Sequence, residues 1–87
     1  MNELFYKVIE RMNYVEGQNN YEVNCINLTY FDGQMYAESV CVNDYGTHWS
    51  NEDYQEIDLD ERELYEVFDL MHGSNFVRIF EPEYFNN

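Results

Sequence analysis

Apolar positions recur near the start of the chain at a helical interval. Leu4, Phe5, Val8, Ile9 and Met12 follow the i, i+1, i+4, i+5, i+8 spacing of one stripe. The spacing predicts an amphipathic helix over residues 2–15. Asn2 suits its N-cap and Glu3 its first turn, and Lys7 and Arg11 lie one turn apart. Gly17 and the polar run Gln18, Asn19, Asn20 end the pattern. The period then shortens towards two. Residues 21–31 and 34–43 read as strands, and Asp32-Gly33 between them is the signal of a type I′ hairpin turn. A two-residue turn fixes the register: Tyr30 faces Met35, Leu28 faces Ala37 and Cys25 faces Val40. The alternation is imperfect. Val23, Cys25, Val40 and Val42 share one side, and Ile26, Leu28, Met35 and Ala37 the other. Either the hairpin is partly buried on both faces or a bulge near Cys25 switches its inward side.

Residues 43–51, with Gly46, Thr47 and Ser50, read as a loop. Residues 54–59 read as a short third strand at a sheet edge, where acids obstruct pairing with another chain. A second helix follows over residues 61–72. Asp60 is a natural N-cap with Glu63 at N3, an Asp version of the capping box. Leu64, Val67, Phe68 and Met71 form its apolar stripe, His72 lies in the last turn and Gly73 suits the position after the cap. Phe76, Val77, Ile79 and Phe80 are a candidate last strand, ended by Pro82, and residues 83–87 read as a frayed polar tail. The expectation is a small single α+β domain over residues 1–87, in the order α-β-β-β-α with a candidate C-terminal strand. That is also the order of double-stranded-RNA-binding domains. Such domains hold phosphates with Lys and Arg, and here those residues are scarce.

Composition adds two constraints. First, 87 residues fit one domain, and nine Tyr, six Phe and one Trp supply a small core with large buried areas. No run approaches the ~20 apolar residues of a membrane span, and no basic leader precedes an apolar run. The expected compartment is the cytoplasm, with Cys25 and Cys41 reduced and packed as small core residues.

Second, 18 acids face only Lys7, Arg11, Arg62 and Arg78, for a formal net charge of −14. This exceeds the magnitude of roughly 2–8 that suffices for solubility, and the self-repulsion opposes folding. Many Asn, Tyr and Phe residues accompany a single Lys, which points to selection against positive charge. Salt adaptation fits poorly, because the chain keeps Asn and Cys and has only one Ala, Ala37. Direct nucleic-acid binding is excluded as a function class, since phosphate contacts supply most of its affinity.

The candidates for chemistry are weak. Cys25, Cys41, His48 and His72 lie on separate predicted elements without zinc-ligand spacing, and nothing lowers a thiol pKa for nucleophilic catalysis. Asp58, Asp60, Glu61 and Glu63 lack the calcium-loop pattern, with Arg62 and Glu63 at discordant positions. A paired-carboxylate glycosidase needs a cleft that so short a chain does not suggest. The reading is of no enzyme, no cofactor and no metal.

The acidic segment is more informative. Glu52, Asp53, Glu56, Asp58, Asp60, Glu61, Glu63, Glu66 and Asp69 supply half of the acids, with Arg62 the sole base among them. In an extended segment Glu56, Asp58 and Asp60 share one side at steps of roughly 6–7 Å. That is close to twice the ~3.4 Å rise per nucleotide of a nucleic-acid strand. Glu66 and Asp69 continue the negative surface on the outer side of the second helix. Tyr45, Trp49, Tyr54 and Tyr65 are interleaved with these acids, and such aromatics are favoured interface anchors.

In size, charge and helix–hairpin–helix layout the chain resembles the small acidic inhibitors of phages and mobile elements, the anti-CRISPR and anti-restriction proteins. The resemblance implies a DNA mimic that fills the basic groove of a nucleic-acid-binding enzyme. The alternative is an acidic adaptor, immunity protein or toxin-neutralising partner on a basic protein surface of another kind. In both readings the partner is a basic protein, and neither nucleic acid nor a membrane is bound directly. The oligomeric state stays open between monomer and homodimer.

Overall fold

The structure, a computed structural model, describes residues 3–12, 23–42, 48–50 and 54–82, with backbone only at 48–50. Helix α1 (Leu4–Arg11) and helix α2 (Glu61–Met71) accompany strands β1 (Cys25–Phe31), β2 (Gln34–Val42), β3 (His48–Ser50), β4 (Gln55–Ile57) and β5 (Phe76–Phe80). The class is α+β, as expected. All pairings are antiparallel. The sheet runs β3-β2-β1-β5, and β4 shares the outer side of β2 with β3.

The hairpin forms around Asp32 and Gly33, whose φ angles of 51° and 80° give the two left-handed residues that a type I′ turn requires. Its register pairs Tyr30 with Met35, Leu28 with Ala37 and Cys25 with Val40, without interruption from Cys25 to Phe31. The unbroken register removes the bulge alternative. Cys25 and Val40 are fully buried on one face, while Ile26, Leu28 and Ala37 are fully buried on the other, so the hairpin is buried on both. Replacing Gly33 by Ala puts a Cβ at φ 80°. The expected cost is about 1 kcal/mol of stability, read from urea unfolding.

Both helices lie on the face that carries Ile26, Leu28, Met35, Ala37, Ile57 and Ile79. Leu4, Phe5, Val8 and Met12 from α1 and Val67 and Met71 from α2 complete that core. The other face of the sheet bears Cys25, Asn27, Thr29, Phe31, Tyr36, Glu38, Val40, Glu56, Phe76 and Arg78, because directly paired residues share a side; it is closed at Cys25 and Val40 and open at the end that carries Phe31 and Phe76.

Several expectations are corrected. Helix α1 starts at Leu4 with Glu3 at the N-cap, whose side chain makes no capping bond; its carbonyl accepts from the N–H groups of Tyr6 and Lys7. Asn2 and residues 13–22 lie outside the described residues. His48–Ser50, expected within a loop, pairs with Val40–Val42 as β3. A three-residue strand is too short to show a period, and only its partner strand defines it. The third expected strand is β4, and the candidate last strand is β5. Pairing of β5 with β1 makes β1 central. Helix α2 ends in a left-handed pair, His72 at φ 50° and Gly73 at φ 84°, so the turn begins one residue before the glycine.

Candidate functional site

Three devices set the position of the acid-bearing segment. Ile57 pairs with Met35 and is buried, and Leu59 packs against the core. The alternate residues Glu56, Asp58 and Asp60 are exposed. The period-two pattern therefore continues past the end of β4 to the first turn of α2. There Asp60 Oδ1 accepts from the Glu63 N–H at 2.8 Å, and Glu63 Oε1 accepts from the Asp60 N–H at 3.0 Å. This closes the capping box and fixes the angle at which α2 leaves the extended segment.

Glu63 does not join the exposed acids. It is 4% exposed, and Arg11 reaches it from α1 with its Nη2 3.0 Å from Oε1 and 3.2 Å from Oε2. The Asp60 carboxylate lies 3.9 Å from the same guanidinium. Glu63 is thus a structural carboxylate that joins the two helices. Its expected place on a partner-binding surface is corrected for that reason. The signal was present in the chain: Glu63 stands at the i−4 position of Val67, on the apolar stripe. Asp60 is divided, with an exposed carboxylate that is also the helix cap.

The remaining described acids of the segment, Glu56, Asp58, Glu61, Glu66 and Asp69, are all exposed. They do not form one plane. Glu56 pairs with Tyr36 and so points to the open face of the sheet, whereas Glu66 and Asp69 lie on the side of α2 turned away from buried Val67 and Met71. The negative surface runs from the β4 edge, at Glu56 and Asp58, along the outer side of α2. Tyr65, 62% exposed, sits between Glu61, Glu66 and Asp69 on the outer turns of α2. Its ring meets Phe68 edge-on at 6.5 Å, and Phe68 in turn meets Tyr30 at 4.9 Å. Tyr54, 42% exposed, precedes β4. Glu52 and Asp53 lie outside the described residues. Trp49 is described only as a backbone position paired with Cys41.

A polar row that no single strand's pattern signals crosses the face opposite the helices. Asn27, nearly buried, donates from Nδ2 to Glu38 Oε1 at 2.9 Å and accepts from Arg78 Nε at 2.8 Å. Glu38 and Arg78 are the cross-strand partners of Asn27 on either side. Their placement follows from pairing between distant strands, which a single strand's pattern does not carry.

The two cysteines are free. Cys25 pairs with Val40 and Cys41 is the next residue along β2, so the two thiols leave opposite faces of the sheet. Burial pushes the Cys25 thiol up to about 11, against the lowering influence of Arg78 and with a smaller push from Glu38. Because the thiolate is the nucleophile, native Cys25 should resist alkylation by iodoacetamide at neutral pH and react on unfolding. The raised folded pKa also has a sign. The stability it contributes is complete below the unfolded value near 9 and is lost as pH rises through about 11. Cys25→Ala should flatten that part of an alkaline unfolding curve.

Among the described residues no group of three or more His, Cys, Asp or Glu is placed to hold a metal ion, and no helix is long and apolar enough to cross a membrane. The chain matches no protein-family model, no curated protein and no solved structure.

Proposed function

We propose that the chain is a non-catalytic binding protein that presents Glu56, Asp58, Glu61, Glu66 and Asp69 to the basic groove of a nucleic-acid-binding enzyme and excludes the nucleic acid from it. The supporting observation is the separation of roles within the acidic segment. Asp60 and Glu63 hold the fold together with Arg11, while Glu56 on β4, Asp58 in the short connection and Glu61, Glu66 and Asp69 on α2 stand exposed. Carboxylates held on regular elements keep fixed spacings. The entropy of ordering them is then largely met by folding, which favours tight binding.

The net charge of −14 steers a positive partner from beyond contact distance and accelerates encounter. Tyr65 and Tyr54 add apolar area beside the acids, and desolvated aromatic anchors slow release. A mimic of this kind needs no cofactor.

The test is capture of partners from lysate on the immobilised chain at low and high salt, identified by mass spectrometry. Nucleic-acid-binding enzymes retained at low salt and released at high salt are the expected result. Retention of proteins without a basic groove, indifferent to salt, would overturn the proposal.

A further inference from the structure

On the open face of the sheet, one row crosses four strands: Glu56 on β4, Tyr36 on β2, Thr29 on β1 and Phe76 on β5. Phe31, two residues beyond Thr29, projects from the same face and is the diagonal neighbour of Phe76, at about 7–8 Å. Phe31 is 60% exposed and Phe76 43%. Two phenylalanine side chains are thus left exposed at diagonal positions on neighbouring strands, with half-buried Tyr36 on the strand beyond. Neither ring carries a polar tip that would account for its position, unlike the exposed tyrosines. Apolar patches rimmed by polar groups mark contact sites for other proteins. Exposed Asp32 adjoins Phe31 in the chain, and exposed Glu56 closes the row at its other end.

We infer that the aromatic end of the open sheet face, Phe31 and Phe76 with Tyr36, is a second contact surface for the same basic protein, where it receives an apolar or aromatic side chain flanked by lysine or arginine. This rests on the reading of the exposed acids as a partner surface. Charge selects the occupant. A second copy of the chain would bring two formal charges of −14 together, and a nucleic acid would meet Glu56 and Asp32. A cationic surface is attracted to both acids, and its apolar side chain covers the rings. Glu56 joins the two areas, because it belongs both to this row and to the acidic edge. The partner would therefore grip the β4 edge and the open face together.

The probes are two synthetic lysine-rich peptides of equal charge, one with two tryptophans and the other with serines in their place. Binding is measured by calorimetry at physiological ionic strength. The wild-type chain should prefer the tryptophan peptide by about tenfold. A double variant, Phe31→Ser with Phe76→Ser, should lose that preference, bind the serine peptide as the wild type does and unfold at the same urea concentration. Absence of the preference in the wild type, or its survival in the double variant, would overturn the inference while leaving the charge reading in place. If neither peptide binds, or if acid-to-lysine changes at Glu56 and Asp58 leave both affinities unchanged, the charge reading itself fails and the inference falls with it. Sedimentation supplies a further check: a wild-type dimer that the double variant reduces to monomer would show that the patch covers itself, against the inference.

Discussion

Replacement of Leu28 by Ala should lower the unfolding free energy by about 3–4 kcal/mol. Leu28 is fully buried on the central strand, with Ala37 and Val77 opposite it on either side and both helices on its face. The strands on both sides limit collapse into the space left behind, so the cavity cost adds to the lost transfer energy. A domain of this size commands roughly 4–13 kcal/mol in total, and self-repulsion from the net charge of −14 reduces what is available. The melting temperature should fall by about 15–25 °C, read by circular dichroism. A loss below about 1 kcal/mol would mean that β1 is not the centre of the sheet, since an edge position relaxes more readily.

Reversal of Glu56, Asp58, Glu66 and Asp69 together to Lys should abolish partner binding, with a loss of at least about a hundredfold in affinity. The same variant should be at least as stable as the wild type. All four side chains are exposed, none belongs to the capping box, and the change more than halves a formal net charge of −14. Lysine at position 69 also lies near the negative end of α2, where a cation is favourable by about 0.3–1 kcal/mol. Asp60 and Glu63 are left out of the set deliberately. Their removal would break the capping box and leave Arg11 without its carboxylates, so lost binding could not be separated from a damaged helix. Intact binding by the fourfold variant would show that the exposed acids serve only solubility.

The features legible in the sequence share one property: they depend on neighbours in the chain. The Asp32-Gly33 turn fixed the hairpin register because two residues leave no freedom to slip. The Asp60 and Glu63 pair marked the start of α2 because capping is completed within four residues. The exposed alternation of Glu56, Asp58 and Asp60 followed from the same local logic. Distant partners decided what was missed. Arg11 and Glu63 are 52 positions apart, so a carboxylate inside a charge run read as surface. Phe31 and Phe76 come together only when β5 is placed beside β1, and each taken alone reads as core. The short strand β3 likewise exists only through its pairing with β2.

The proposed function requires that the acidic surface occupy a site meant for nucleic acid. The most direct measurement is an equilibrium competition on a captured partner, purified, with the fluorescently labelled chain bound to it and duplex DNA titrated in at constant salt. DNA should return the label's anisotropy to its free value, and unlabelled chain should in turn displace DNA from the partner. A complex whose anisotropy stays unchanged at saturating DNA would contradict the proposed function, and would identify the chain as an adaptor or neutralising protein on a different basic surface.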